Sequence, residues 1–527
     1  MSDLRLRHLL TTVFFLSASH AYAATESSSA PSSDEDNQMT MPEAVPVVEL
    51  TPLTSSEQKP QLLGSKSDPA AAPVELSSDK KAIADNDKMD SRLRGNDERD
   101  GNDDKELKAA LTYVYDHHPM LLAEREKVKA VDESVSQAIS DFRPNIGADY
   151  NKGRDRKSSN GAPWSYGNTE SKSLTVTQPI FSGLDGVAGY KSANQRVAAA
   201  RADLIALEQQ VLFNAVVAYT GIAEAQSVLA LNQNNVDVLT KQRDATQVRF
   251  DVGELTKTDV SQAEARLANA KASEQQSVGD LSIARAAFVR AVGMPAPENP
   301  LMPVVPKNIP KSLEEASKLA REASPILNAA KHREKAFESD VDVRVGGILP
   351  DVSVQGSMLR SEGGSVFANK YNTDAITLNV SIPLYQSGAE WSRLREARNV
   401  ASQARFNTLD TTLAVEQDVT SAWQNYVTTE SVITSTEAAA KASAMALEGV
   451  RQENEFGVRT VLDVLDAEQE DMNTKVNLVR ATRNHKIQAY RLLASIGKLT
   501  AGELTLPVKI YDPKEHHDSV KYQLLGW

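Results

Sequence analysis

The chain has 527 residues, 41% of them hydrophobic but only 5% aromatic, and it contains no cysteine. So lean a core suits long helices packed through small side chains better than several compact globules, and the missing thiol excludes disulfide staples and a lipid-modified N-terminal cysteine. The net charge of −13 lies mostly in residues 24–104, which hold 18 acidic and 8 basic side chains, so the nearly neutral body excludes an electrostatic nucleic-acid partner.

Residues 1–23 read as a signal peptide. Arg5, Arg7 and His8 form a basic head, "LLTTVFFLSAS" follows, and Ala21-Tyr22-Ala23 supplies the small-x-small cleavage pattern. Residues 24–104 contain no Phe, Trp or Tyr and are rich in Ser, Pro, Asp and Lys. Such a segment buries too little apolar surface to offset its ordering entropy and is expected to be a disordered acidic extension.

From residue 105 the chain repeats itself, as 105–300 and 301–500, followed by a C-terminal segment, 501–527. "FRPNIGADY" (142–150) matches "ILPDVSVQG" (348–356). "SLTVTQPIFSG" (173–183) matches "TLNVSIPLYQSG" (377–388), and "GELTKTDVSQA" (253–263) matches "GVRTVLDVLDA" (457–467). Each copy predicts one helix (107–140, 312–345), two strands and a long proline-free helical region. Heptad spacing runs through Val197, Leu204, Val211 and Ala218, as in packed long helices. Gly253 and Gly457 interrupt these regions, with Thr256 and Thr460 three residues on, which predicts a helix stop and a new start. The longer helices, about 184–252 and 388–456, would reach roughly 100 Å at 1.5 Å per residue.

The strands alternate. Ile376, Leu378, Val380, Ile382 and Leu384 fall on one face, Thr377, Asn379 and Ser381 on the other; Leu174 and Val176 alternate with Ser173, Thr175 and Thr177. No stretch of about 20 apolar residues exists to form a membrane helix, so only a closed barrel is left as a way across a bilayer. Eight strands is about the smallest such barrel. Four per chain require several chains.

Together, the duplication, the strand-to-helix motifs and "GVRTVLDVLDA" resemble the TolC family of outer-membrane efflux and type I secretion channels. The closing "PVKIYDPKEHHDSVK" (507–521) is similar to the C-terminal segment of its secretion members. The resemblance implies a mainly α mixed fold. Three chains would form one outer-membrane β-barrel, continued by an α-helical coiled-coil tunnel through the periplasm of a Gram-negative cell. Residues 501–527 would be equatorial or flexible. The partners implied are two further copies, outer-membrane lipid, a periplasmic adaptor and an inner-membrane ABC or RND-type transporter. The channel itself would be no enzyme and would carry no cofactor.

The resemblance also places the tips at Gly253 and Gly457 at the periplasmic entrance. Three-fold symmetry would turn Asp463 and Asp466 into two acidic rings that favour cations and admit block by divalent ions. The competing reading is that such acids merely stabilise a helix start through its dipole. It is serious for Asp259; Asp463 is expected several residues into its helix, where that benefit has faded. Carried over by position, Arg459 pairs with Thr258 and Asp259 to latch neighbouring hairpins. Asn454 stands where the family often has Tyr.

No nucleophile, zinc or phosphate-loop motif occurs. His117-His118 and His516-His517 read as surface histidines, Trp391 and Trp423 as packing residues, and Trp164 and Tyr166 as an external loop suited to an aromatic belt. An exported structural coiled-coil protein without pore activity is the alternative. It would share the heptads but would not need alternating strands or acidic tips.

Overall fold

The structure, a computed structural model, describes residues 103–158, 163–363 and 370–523. The expected signal peptide and all but the last two residues of the expected extension lie outside these. The first helix, α1 (Asp103–His117), starts inside the expected extension, and α2 (Pro119–Ser140) follows directly.

The expected single helix 107–140 is therefore two. The same correction applies to 312–345, which divides into α5 (Leu313–Ala323) and α6 (Pro325–Gly346). Pro119 and Pro325 cause both breaks. Proline lacks an N–H and drives the preceding residue out of the helical region. His118 and Ser324 accordingly sit at ψ 123° and 118°, and each proline opens the next helix.

Between these pairs lie β1 (Asn145–Lys157), β2 (Ser165–Ser182), and the hairpin of α3 (Asp185–Asp251) with α4 (Lys257–Val292). The second copy supplies β3 (Asp351–Glu362), β4 (Lys370–Ser381), α7 (Ala389–Glu455) and α8 (Val461–Ser495). Ile382 and Leu384 lie just past the end of β4, not within it. Tyr166 belongs to β2 instead of the loop before it; Trp164 does lie in that connection.

The four strands form one antiparallel sheet in the order β1-β2-β3-β4. Cross-strand partners share a face, so the register shows what each face carries. One bears Ile146, Val176 and Ile376, then Ala148, Leu174 and Met358, with Val354 against Leu378 and Val352 against Val380. The opposite face is almost wholly polar or small: Asn145, Thr177, Gln355 and Thr377, then Gly147, Thr175, Ser357 and Ala375. The apolar face is uncovered in the single chain; Ile376 is 86% exposed. β1 and β4 are open edges.

The helices run away from the strand ends joined to α3 and α7. α3 is the hub, packing against α2, α4, α6 and α8 and buried at intervals from Gly186 to Thr246. The main core gathers α1, α3, α4 and α8 around Leu111, Tyr219, Phe288 and Leu493. Trp423 packs against it, as expected. Trp391 does not: it is exposed at the start of α7, and Phe406, Leu409 and Leu413, several turns further along the same helix, are exposed as well.

The C-terminal segment carries a helix, α9 (Pro513–Val520), docked on α2. His516 and His517 are not free surface histidines. Their Nδ1 atoms lie 3.4 and 3.6 Å from the carboxylate of buried Asp132, which Arg201 also contacts at 3.2 Å. The sequence signal for this was absent because the two partners are far apart along the chain.

α8 ends in a tight αL turn at Gly497, with φ +82°. A Cβ there would stand 2.5 Å from the Ala323 carbonyl oxygen. At Gly457 the φ is also positive, but a Cβ would meet open space. Gly457→Ala should cost only the backbone strain, about 1–2 kcal/mol. Gly497→Ala adds a backbone clash and should lower the thermal midpoint several-fold more, or prevent accumulation of folded protein; parallel melting of the two purified variants checks this.

Candidate functional site

The two hairpin tips are built alike. At the first, the Gly253 N–H donates to the Phe250 carbonyl and the Glu254 N–H to that of Arg249, both at 2.9 Å. At the second, Gly457 donates to Asn454 at 3.0 Å and Val458 to Glu453 at 2.9 Å. These paired bonds close a Schellman turn, which needs a left-handed residue at the glycine. The φ values of +85° and +74° satisfy it.

Each returning helix then opens with a capping box. The Thr256 N–H and Oγ1 donate to Asp259 Oδ2 at 2.9 and 2.7 Å, and the Asp259 N–H donates back to Thr256 Oγ1. Thr460 and Asp463 repeat this at 2.9 and 2.8 Å, with the return bond at 3.2 Å. The expectation that Asp463 lies beyond the reach of a helix start is therefore corrected. It is the third residue of α8, and its carboxylate is consumed by the cap. Backbone and hydroxyl donation from Thr460 holds its pKa below the ordinary carboxylate value; Thr460's twin, Thr256, does the same for Asp259.

Asp466, one turn further along, is different. It has no capping role, and its Oδ1 receives the Arg266 guanidinium of α4 at 2.5 Å. The two acids at the start of α8 thus do separate work: one fastens the helix start, the other ties the second hairpin to the first. Leu239, Leu267, Ala270, Val461 and Leu465 pack beneath them, so α3, α4 and α8 meet close to the tips.

Arg459, Thr258 and Asp259 are not brought together within the chain. Arg459 Nε bonds Glu453 Oε2 at 2.9 Å, and Asn454 Nδ2 donates to the Arg459 carbonyl at 2.8 Å. Thr258 is exposed. Asn454 therefore buttresses the turn that presents Arg459. Glu453 and Arg266 are the two site residues that sequence reasoning missed. Arg266 is 200 residues from Asp466 and has no local signal; Glu453 carries one, since the turn folds it back toward Arg459.

Deeper in the second hairpin, Glu468 is buried, and burial raises its pKa despite Arg451 at 3.1 Å. At the tips themselves Val248, Val252, Phe456 and Val458 are exposed, Phe456 by 84%. Groups of metal-ligating side chains that could hold an ion are absent among the described residues.

An open sheet with one apolar face, continued by two long antiparallel helical hairpins with acidic turns, defines a channel-tunnel subunit of the outer-membrane class. The chain belongs to the outer membrane efflux protein family, which matches it over residues 114–294 and 316–498, once per copy of the duplication. It is 30% identical to the outer membrane efflux protein BepC of Brucella suis, over 80% of this chain and 91% of that protein. It is 26% identical to the outer membrane protein TolC of Escherichia coli, over 71% and 78% of the two chains. The alkaline protease secretion protein AprF of Pseudomonas aeruginosa is 23% identical over 63% and 70%. The fold superposes on that of the outer-membrane channel OprN with a TM-score of 0.67, at 20% identity, covering 78% of this chain and 92% of that one.

The capping boxes generate a prediction with a definite sign. Because folding lowers the Asp463 pKa, its capping contribution is complete above the unfolded value of 3.8 and is lost as pH falls through the folded value. Amide-exchange protection of the first turn of α8, corrected for intrinsic rates, should fall on acidification in that window. Asp463→Asn should show weakened protection at neutral pH and little further change.

Proposed function

We propose that three copies of this chain close a twelve-stranded barrel in the outer membrane and a helical tunnel beneath it, a passive duct for exported substrates. The observation that carries this is the four-stranded sheet, whose apolar face is uncovered and whose two edges are unpaired. Backbone groups left open in lipid cost several kcal/mol each, so strands in a bilayer must close on themselves. The exposed stripe of Phe406, Leu409 and Leu413 on α7 supports the same assembly, as a flank for a neighbouring copy's helices.

The tips are the inner mouth of the duct. Asp463 and Asp466 from three copies form acidic rings there, with Asp466 partly neutralised by Arg266 and freed when the hairpins part. Arg459 exchanges its Glu453 contact for Thr258 and Asp259 on a neighbouring hairpin and holds the entrance shut. Exposed pairs contribute only about 0–1 kcal/mol each, yet three-fold repetition is enough to bias a two-state gate. The exposed apolar residues of both tips receive a periplasmic adaptor, and the energy for export comes from the inner-membrane pump that the adaptor serves. BepC's name attaches to efflux and AprF's to protease secretion; both uses fit one duct, and the pump selects the cargo.

Planar-bilayer recording tests this. Wild-type protein should give discrete cation-selective steps that millimolar divalent cations on the tip side reduce. Asp463→Asn/Asp466→Asn should keep the steps and lose most of that block. Arg459→Ser should raise the resting conductance. Block identical in both proteins would remove the acidic rings from the account, and a well-folded sample with no pore activity would favour a structural coiled-coil protein.

A further inference from the structure

The register of the sheet also shows what lies beyond the apolar rows on the same face. Moving away from the helices, the row after Leu174 and Met358 contains Tyr150, Lys172, Arg360 and Asn372. The next contains Lys152, Glu170, Glu362 and Lys370; then come Arg154 with Asn168, and Arg156 with Tyr166. In a barrel whose helices face the periplasm, these rows sit at the outer leaflet's headgroup level. From Tyr150 to Arg156 they rise by about 15 Å, at 3.3 Å per residue and a tilt near 40°.

The two hairpins of the sheet treat this zone differently. On β3 and β4 the charges cancel internally: Arg360 holds Asp374 through two bonds, at 2.7 and 3.2 Å, and Lys370 holds Glu362 at 2.7 Å. On β1 and β2 the face carries four cations, Lys152, Arg154, Arg156 and Lys172, against the single carboxylate of Glu170, which Lys172 holds at 2.9 Å. Neither Arg154 nor Arg156 has a carboxylate partner among the described residues. Both are instead laid over aromatic rings: Arg156 lies 4.6 Å from the Trp164 centroid and 5.6 Å from that of Tyr166, and Arg154 lies 5.3 Å from Tyr166. A guanidinium stacked on a ring keeps its N–H edge free and is held in place, as bidentate phosphate recognition needs.

We infer that the outward face of the β1–β2 hairpin, centred on Arg154 and Arg156 over Tyr166 and Trp164, binds the phosphate groups of the outer leaflet's phosphorylated glycolipid. The position argues for lipid over a soluble anion. The cationic rows continue directly from the membrane-facing rows, so a lipid whose acyl chains lie along Leu174, Val176 and Ile146 carries its headgroup phosphates to the level of these side chains. A trimer presents the site three times, once per β1–β2 hairpin, and the neutralised β3–β4 hairpins separate the copies. The inference rests on the outer-membrane reading above.

Native mass spectrometry of the detergent-purified assembly tests it, with diphosphoryl lipid A and a phosphate-free lipid A as probes. Wild type should bind the diphosphoryl form at least tenfold more tightly than Arg154→Glu/Arg156→Glu does, and the phosphate-free form should bind both proteins equally weakly. Raising the salt concentration should narrow the difference. Equal affinity of the two proteins for the diphosphoryl lipid, or equal affinity of wild type for both lipids, would overturn it. The variant should retain wild-type single-channel steps, since neither arginine belongs to the tips; Arg154→Gln/Arg156→Gln serves if charge reversal blocks assembly. Wild-type protein that forms no channel at all would count against the outer-membrane reading, not against the phosphate site alone.

Discussion

The structure turns on one constraint: a β-strand in hydrocarbon must have both edges paired. Four strands cannot arrange that by themselves. The sheet here ends in β1 and β4 with free N–H and C=O groups and turns an apolar face outward with nothing covering it. In water this would be an aggregation hazard. In a bilayer, with identical sheets on either side, it becomes a segment of wall. That requirement calls for further copies of the chain, and the proposed duct is the wall they would close.

The helices obey a related economy. α3 is packed on several sides by its own chain, whereas α7 buries only scattered residues and exposes Trp391, Phe406, Leu409 and Leu413. The second copy of the duplication is therefore the incomplete flank. Duplication supplied two similar hairpins, and their divergence made one a hub and left the other with an exposed apolar flank. The tips diverged in the same way. Both keep the glycine turn and the Thr–Asp capping box, but only the second adds Asp466, which reaches across to Arg266.

What was legible in the sequence is what proline, glycine and alternation decide locally. The long helices end two residues before Gly253 and Gly457, at Asp251 and Glu455, because those glycines take up the left-handed turn, and the strands follow from a period of two. The helix breaks at Pro119 and Pro325 are equally local, since a proline splits a helix it falls within, yet the expected helices 107–140 and 312–345 ran through both. Asp463 shows a finer error of the same kind. Thr460 opens the helix, so the third residue after it is a cap partner, not an interior acid. Arg266 with Asp466, and His516 and His517 with Asp132, were not legible at all. Those contacts join residues that only the packing of separate helices brings together.

The absence of cysteine from the chain makes the central claim directly measurable. Cysteines placed on the polar face of β1, at Gly147 or Asp149, and of β4, at Thr373, Ala375 or Thr377, can be oxidised in membranes and resolved by denaturing electrophoresis. A closed twelve-stranded barrel predicts that at least one β1–β4 combination yields covalent dimers and trimers, and that either cysteine alone yields neither. If every combination in a correctly inserted protein gave only bridges within one chain, or no product, the sheets would not be joined edge to edge, and the account of the barrel and of the tunnel beneath it would be wrong.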